Sequence, residues 1–290
     1  MTESNVDMES RMIGEITVGD MRVPRLGFGA MRITGEGIWG EPRDPAEARR
    51  VLRRVVELGV RFIDTADAYG PEVSERLIAE VLHPYPAGLV IATKGGLVRP
   101  GPGNWVPDAR PEHLRAACEA SLRRLRLERI DLYQLHTVDD KVPLEDSMGE
   151  LARLQKEGKI RHVGVSNVNL PELERARRVV RVVSVQNRYN IADRTSEDVL
   201  AVCQREGLAF IPWAPLGQGS RDEASPQRAA LEKWAKSRDL SVQQAALAWL
   251  LLKSPAMLPI PGTSQVQHFE SNVAAALAAN AYKQEFPTMG

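Results

Sequence analysis

The chain is poor in cysteine: Cys118 and Cys203 are its only two, in separate helical patterns. A disulfide framework is thereby excluded, and the pair reads as reduced, buried thiols of a cytoplasmic protein. Net charge is lacking too, with 38 Lys and Arg against 38 Asp and Glu. A nucleic-acid or anionic-membrane surface needs a basic excess, so neither is expected as a partner and a small neutral substrate fits better. No apolar run approaches the roughly 18 residues of a membrane span, and Met1 to Ser10 lack the apolar centre of an export signal. His83, His113 and His162 stand singly, without the paired spacing of a metal site. No G-x-G-x-x-G follows a strand, which removes the fingerprint of the open doubly wound dinucleotide fold.

What is present is a 43% hydrophobic chain in which short apolar runs alternate with amphipathic segments. Runs near 26–29, 61–64, 89–93, 130–135, 160–165, 182–186, 207–212 and 257–260 read as strands. Segments such as 112–127 and 170–178 read as helices, and Asp44-Pro45 supplies a cap with proline at the first helical position. This alternation predicts a parallel sheet with outer helices, and eight units favour closure into a (β/α)8 barrel of the TIM type. Residues 12–18 and 21–23, about Gly19-Asp20, predict a hairpin ahead of the barrel. An additional helix, about 226–238, follows the seventh strand. Residues 1–10 are expected to be a disordered segment and 11–290 a single domain.

Several strands end on ionisable residues. The first, Arg61 to Asp64, is followed by Tyr69 on the same loop; Leu89 to Lys94 ends on an ammonium, and Ile130 to His136 on an imidazole. If the strands are parallel neighbours, Asp64, Tyr69, Lys94 and His136 converge above one rim of the sheet. Carbonyl reduction needs such a set. Hydride arrival places negative charge on oxygen, which must receive a proton, and a free phenol with a pKa near ~10 is a sluggish donor at neutral pH. A neighbouring ammonium is expected to lower that pKa, a carboxylate to hold the ammonium, and a histidine to hydrogen-bond the carbonyl oxygen.

Phe62 to Gly70, Ile91 to Lys94, Asp131 to His136, Gly158 to Asn167, Val185 to Asn190 and Ile260 to Ser264 together resemble the aldo-keto reductase superfamily. The likeness runs in order from about Leu26 to about Asn272, and the segments around Lys141 and Lys159 are similar to a bacterial branch that includes pyridoxal reductase-like members. The resemblance implies a nicotinamide cofactor, NADPH with NADH possible, a catalytic tetrad of Asp64, Tyr69, Lys94 and His136, and a monomer. It gives Ser166, Asn167 and Gln186 to the nicotinamide carboxamide. Trp213 is suited to stacking on the nicotinamide ring. Ala214, Pro215, Leu216 and Gly217, running on to Arg221, form a glycine-rich approach to the pyrophosphate. Gly262, Thr263 and Ser264 open a helix whose free amides suit a phosphate. Many members that prefer NADPH carry lysine at the position of Gly262 and arginine at that of His268. Without them, the preference rests on Thr263, Ser264, helix amides and His268, while Asn272 aligns with an adenine contact. Trp39 and Trp105, the latter on a proline-rich connection from Gly95 to Pro111 that reads as a substrate-covering loop, are expected to line the substrate pocket. The expected activity is reduction of aldehydes and ketones; the alternative is a nucleotide-binding regulatory subunit of the same fold.

Overall fold

Residues Phe62–Asp64, Val90–Gly95 and Val182–Gln186 are buried at every position, as a sheet covered on both faces requires. The computed structural model describes residues 14–217 and 225–282. β1 (Glu15–Val18) and β2 (Met21–Pro24) pair as an antiparallel hairpin, and β3 (Phe28–Gly29), β4 (Phe62–Asp64) and β5 (Val90–Gly95) follow. β6 (Leu97–Gly101) and β7 (Asn104–Pro107) make a second hairpin, before β8 (Ile130–Leu135), β9 (Ile160–Ser166), β10 (Val182–Gln186) and β11 (Ala209–Phe210). The sheet order β11-β10-β9-β8-β5-β4-β3 is parallel throughout.

The eighth strand closes the curl. Phe210 N donates to Ala256 O (2.8 Å), Leu258 N to Phe210 O (2.9 Å), and Gly27 N to Pro259 O (2.9 Å), so residues 256–260 bridge β11 to the residues before β3. The (β/α)8 barrel is thus complete, with its last strand too short in ladder pairing to extend beyond a single bridge at Met257. Ile16, Val18, Met21 and Val23 of the first hairpin pack with Phe62, Val90, Leu132, Leu258 and Ile260, so the hairpin plugs the barrel interior from one end.

Helices α1 (Pro45–Glu57), α2 (Val73–Leu82), α3 (Pro111–Leu125), α4 (Leu144–Lys156), α5 (Leu170–Val179), α6 (Glu197–Glu206), α7 (Pro226–Lys236), α8 (Val242–Lys253) and α9 (Val266–Ala278) lie between and after the strands. The α1 start is as the sequence indicates: the Asp44 carboxylate accepts from Glu47 N at 2.9 Å and Pro45 fills the first turn. Reciprocal capping boxes fix the entries of α5 (Asn169, Glu172) and α8 (Ser241, Gln244). α7 is the additional helix expected after the seventh strand. The connection after Lys94, read as a covering loop, contains the β6–β7 hairpin, whose register shifts between Val98 and Gly101.

Gly29 sits in the closing seam, where an added Cβ would lie 2.7 Å from Ile260 O. Backbone on the far side leaves nothing flexible to yield. Gly29→Ala is therefore expected to destabilise the fold by ~1 to 3 kcal/mol, measured by urea denaturation followed by circular dichroism.

Candidate active site

Each strand of a parallel barrel delivers its last residues to the same rim. Asp64 ends β4, Lys94 lies near the end of β5, His136 follows β8, Ser166 ends β9, Gln186 ends β10, and Trp213 follows β11. The four residues expected to form the tetrad do converge. Lys94 Nζ donates to Asp64 Oδ1 at 2.6 Å, to Thr65 O at 2.9 Å and to Tyr69 Oη at 3.3 Å. Lys94 is 0% and Asp64 1% exposed, so the pair is fully desolvated. A buried pair is tolerable only when its remaining hydrogen-bonding capacity is met. Asp64 Oδ2 meets it by accepting from Gln186 Nε2 (2.8 Å) and Gln134 Nε2 (3.1 Å).

Tyr69 stands edge-on to His136 and to Trp105, with ring centroids 5.9 and 6.4 Å away. Burial disfavours the phenolate more than Lys94 favours it, and Asp64 adds to burial, so the phenol is raised above its ordinary value. This corrects the expectation of a lowered pKa: the carboxylate that anchors the ammonium also cancels part of its field. Burial likewise disfavours the Lys94 ammonium, but Asp64 and Tyr69 more than offset it and its pKa is raised. Burial, with the Lys94 charge adding to it, pushes His136 well below the usual imidazole value, so its ring is neutral. His136 Nδ1 is buried without a hydrogen-bond partner among the described residues, and the side chain lines the cavity.

That cavity, of about 530 Å³, runs from Leu97, Trp105, Tyr69 and His136 past Ser166, Asn167 and Gln186 to Trp213, Ala214, Pro215, Leu216, Gly217 and Gly262. A cavity lined by the hydroxyl and amide groups of Ser166, Asn167 and Gln186 and by the Trp213 indole fits a nicotinamide nucleotide. One of the two Gln186 amide hydrogens is committed to Asp64, so the other and Oε1 are what it offers a carboxamide. Asn167 is engaged on both sides: Nδ2 donates to His136 O (3.0 Å) and Ser166 Oγ (3.1 Å), and Oδ1 accepts from Trp213 Nε1 (2.9 Å). Its part is to brace the Trp213 ring against the His136 turn. Asn167 and Ala214, on either side of that brace, have left-handed φ of 56° and 49°, local strain of the kind that collects at working sites.

Other expected contacts lie apart. Thr263 and Ser264, just before α9, and His268 and Asn272, within it, are not among the residues lining this cavity. The free amides expected there are partly taken: Gln265 N donates to Thr263 Oγ1 (3.1 Å) and Val266 N to Glu47 Oε1 (2.9 Å). Lysine at Gly262 is sterically barred, since its Cβ would fall 2.5 Å from Gly29 O. Asn272 is 6% exposed, facing inwards from α9. Trp105 lines the cavity but Trp39 does not; it lies behind, with the Arg99 guanidinium 5.5 Å from its ring. Arg221 lies outside the described residues. The sequence reading overlooked Gln134, whose signal was a polar side chain with the same parity as Leu132 on a strand facing the barrel interior, and it overlooked Arg99.

Two outcomes are expected. Asp64→Asn leaves Lys94 buried without an anion and should cost ~3 to 5 kcal/mol in chemical denaturation. For His136, the unfolded imidazole takes a proton as pH falls through 6.5 while the folded one does not. The unfolded state then binds more protons, so this contribution is unfavourable below that pH and absent above it. His136→Gln should flatten that acid-side stretch of the stability profile.

Residues 25–289 match the model of the Aldo/keto reductase family. The chain is 50% identical over 275 residues to an uncharacterized oxidoreductase of Schizosaccharomyces pombe, covering 95% of this chain and 89% of the relative. It is 40% identical over 265 residues to pyridoxine 4-dehydrogenase of Escherichia coli, covering 89% and 91%. Among solved structures, an aldo-keto reductase from Klebsiella pneumoniae in complex with NADPH superposes with a TM-score of 0.74 at 28% identity, covering 91% of this chain and 90% of its own. The glycerol dehydrogenase from Gluconobacter oxydans gives 0.76 at 27% identity, covering 95% and 98%. With the match spanning nearly the whole barrel and the rim built as described, the chain belongs to the aldo/keto reductase family and is a nicotinamide-dependent oxidoreductase acting on carbonyl and CH–OH groups.

Proposed function

We propose that this protein reduces aldehydes or ketones to alcohols with NADPH, Tyr69 supplying the proton. The observation that carries the reading is the Lys94 ammonium set between the Asp64 carboxylate at 2.6 Å and the Tyr69 hydroxyl at 3.3 Å. A bound nicotinamide would supply the hydride. Tyr69 then gives its hydroxyl proton to the substrate oxygen, and the phenolate left behind is held by Lys94. The raised phenol keeps that proton at neutral pH until the oxygen becomes basic enough to take it. His136, neutral and lining the cavity, donates a ring N–H hydrogen bond to the same oxygen and orients it. Ser166, Gln186 and the Trp213 face hold the nicotinamide, with Asn167 fixing Trp213.

NADPH is supported by the complexes of the Klebsiella pneumoniae structures with NADP and NADPH; NADH remains the competitor because Gly262 and His268 replace cations. Walls of Tyr69, Trp105, His136 and Trp213 suit a planar ring, and the relative named pyridoxine 4-dehydrogenase supports pyridoxal as the first substrate to assay. A cytoplasmic location and a monomeric single domain belong to the same proposal, supported by two buried unpaired thiols and by one continuous barrel.

The test is NADPH and NADH oxidation over pyridoxal, other aromatic aldehydes, methylglyoxal and sugars, with Tyr69→Phe beside the parent chain. Tyr69→Phe should lower turnover by ~10²- to 10⁴-fold while NADPH binding, followed by protein fluorescence, is retained. Undiminished turnover removes Tyr69 from its role. Tight nucleotide binding with no turnover on any carbonyl would favour the regulatory-subunit alternative.

A further inference from the structure

Arg99 is a buried charge outside the tetrad. It is 8% exposed and, among the described residues, no carboxylate pairs with it. An isolated buried cation is costly, so its partners must explain it. All of its hydrogen-bond acceptors are main-chain carbonyls: Nη1 donates to Ile38 O (3.0 Å) and Ala68 O (3.2 Å), Nη2 to Gly37 O (3.3 Å), and Nε to Asn104 O (3.1 Å). The guanidinium also lies 3.7 Å from the Trp105 ring centroid. Weak hydration, a planar fork and an affinity for aromatic faces suit arginine to this setting and lysine much less.

The acceptors belong to three different segments of the rim. Gly37 and Ile38 lie in the loop after β3, Asn104 begins β7, and Ala68 immediately precedes Tyr69. Trp105, held against the guanidinium, stands edge-on to both Tyr69 and His136, 6.4 and 6.5 Å away between centroids. One side chain therefore ties the covering hairpin to the loop that carries the proton donor.

We propose that Arg99 is a positioning residue: by clamping Trp105 and the Ala68 carbonyl together, it fixes the wall that sets where the substrate carbonyl lies relative to Tyr69 and His136. This rests on the reductase reading above. A role confined to holding the hairpin down would leave turnover of bound substrate intact. A clamp acting through Trp105 would alter both KM and kcat for the carbonyl compound while sparing the nucleotide, whose expected contacts are on the opposite half of the cavity.

The experiment compares Arg99→Lys, Arg99→Met, Trp105→Ala and the Arg99→Met/Trp105→Ala double variant, each checked for folding by thermal denaturation and for NADPH binding by fluorescence. Misplacement of a reacting group by about 1 Å costs up to ~10²-fold. Arg99→Lys and Arg99→Met are therefore expected to lose roughly 10- to 100-fold in kcat/KM, with kcat reduced as well as KM raised. NADPH affinity should stay within about 2-fold, well under the tenfold that a lost charged contact produces. In the Trp105→Ala background the Arg99 substitution should add little, because both act through one wall. Parent-like kcat in Arg99→Lys, or an equal loss with and without Trp105, overturns the proposal. If Arg99→Met does not fold, Arg99→Lys takes its place in the same cycle. Tyr69→Phe run in parallel separates the two readings: undiminished turnover there sinks the reductase mechanism, whereas its collapse beside a parent-like Arg99→Lys sinks only the clamp.

Discussion

The Lys94–Asp64 ion pair governs the rest of this rim. Two opposite charges without water are stable together only if every remaining lone pair and proton finds a partner, and the surrounding strands are arranged to provide them. Gln134 comes from β8, Gln186 from β10 and the Thr65 carbonyl from the turn after β4. Strands that are far apart in sequence are thus bound to one carboxylate. The same arrangement leaves a single ammonium hydrogen directed at Tyr69, so stability of the pair and acidity of the phenol are settled by one geometry.

The chemistry was easier to read in the sequence than the environment that tunes it. Asp64, Lys94 and His136 could be recognised because each ends a short apolar run, and parallel strands necessarily bring such ends to one rim. Strand positions, the α1 cap and the added helix followed from local pattern for the same reason. The direction of the Tyr69 shift was misjudged because burial is a property of the assembled fold; the sequence shows an ammonium nearby but not how much water is excluded. Glu47 capping α9 was out of reach for another reason, since the partners lie 219 residues apart. Arg99 was overlooked because its partners are carbonyls, which every residue has.

The barrel seam shows how a small residue constrains a binding site at a distance. Gly29 and Gly262 lie back to back: a Cβ on either would meet carbonyl oxygen of the other side at under 3 Å. The last strand can therefore approach β3 closely, and the start of α9 is placed by that approach. The absence of a lysine at Gly262 follows from this contact, and Thr263, Ser264, Glu47 and His268 must be judged within the space it leaves.

A consequence follows from the main-chain character of the Arg99 contacts. A latch that grips carbonyl oxygens makes no demand of its own on the side chains at positions 37, 38, 68 and 104; left-handed φ of 65° and 60° constrains Gly37 and Ile38 and burial constrains Ala68, which leaves the exposed Asn104 free to change. Leu97, the hairpin's other cavity-facing residue, also lies outside the latch, so a lineage can acquire new substrates through it while inheriting the same proton donor in the same place.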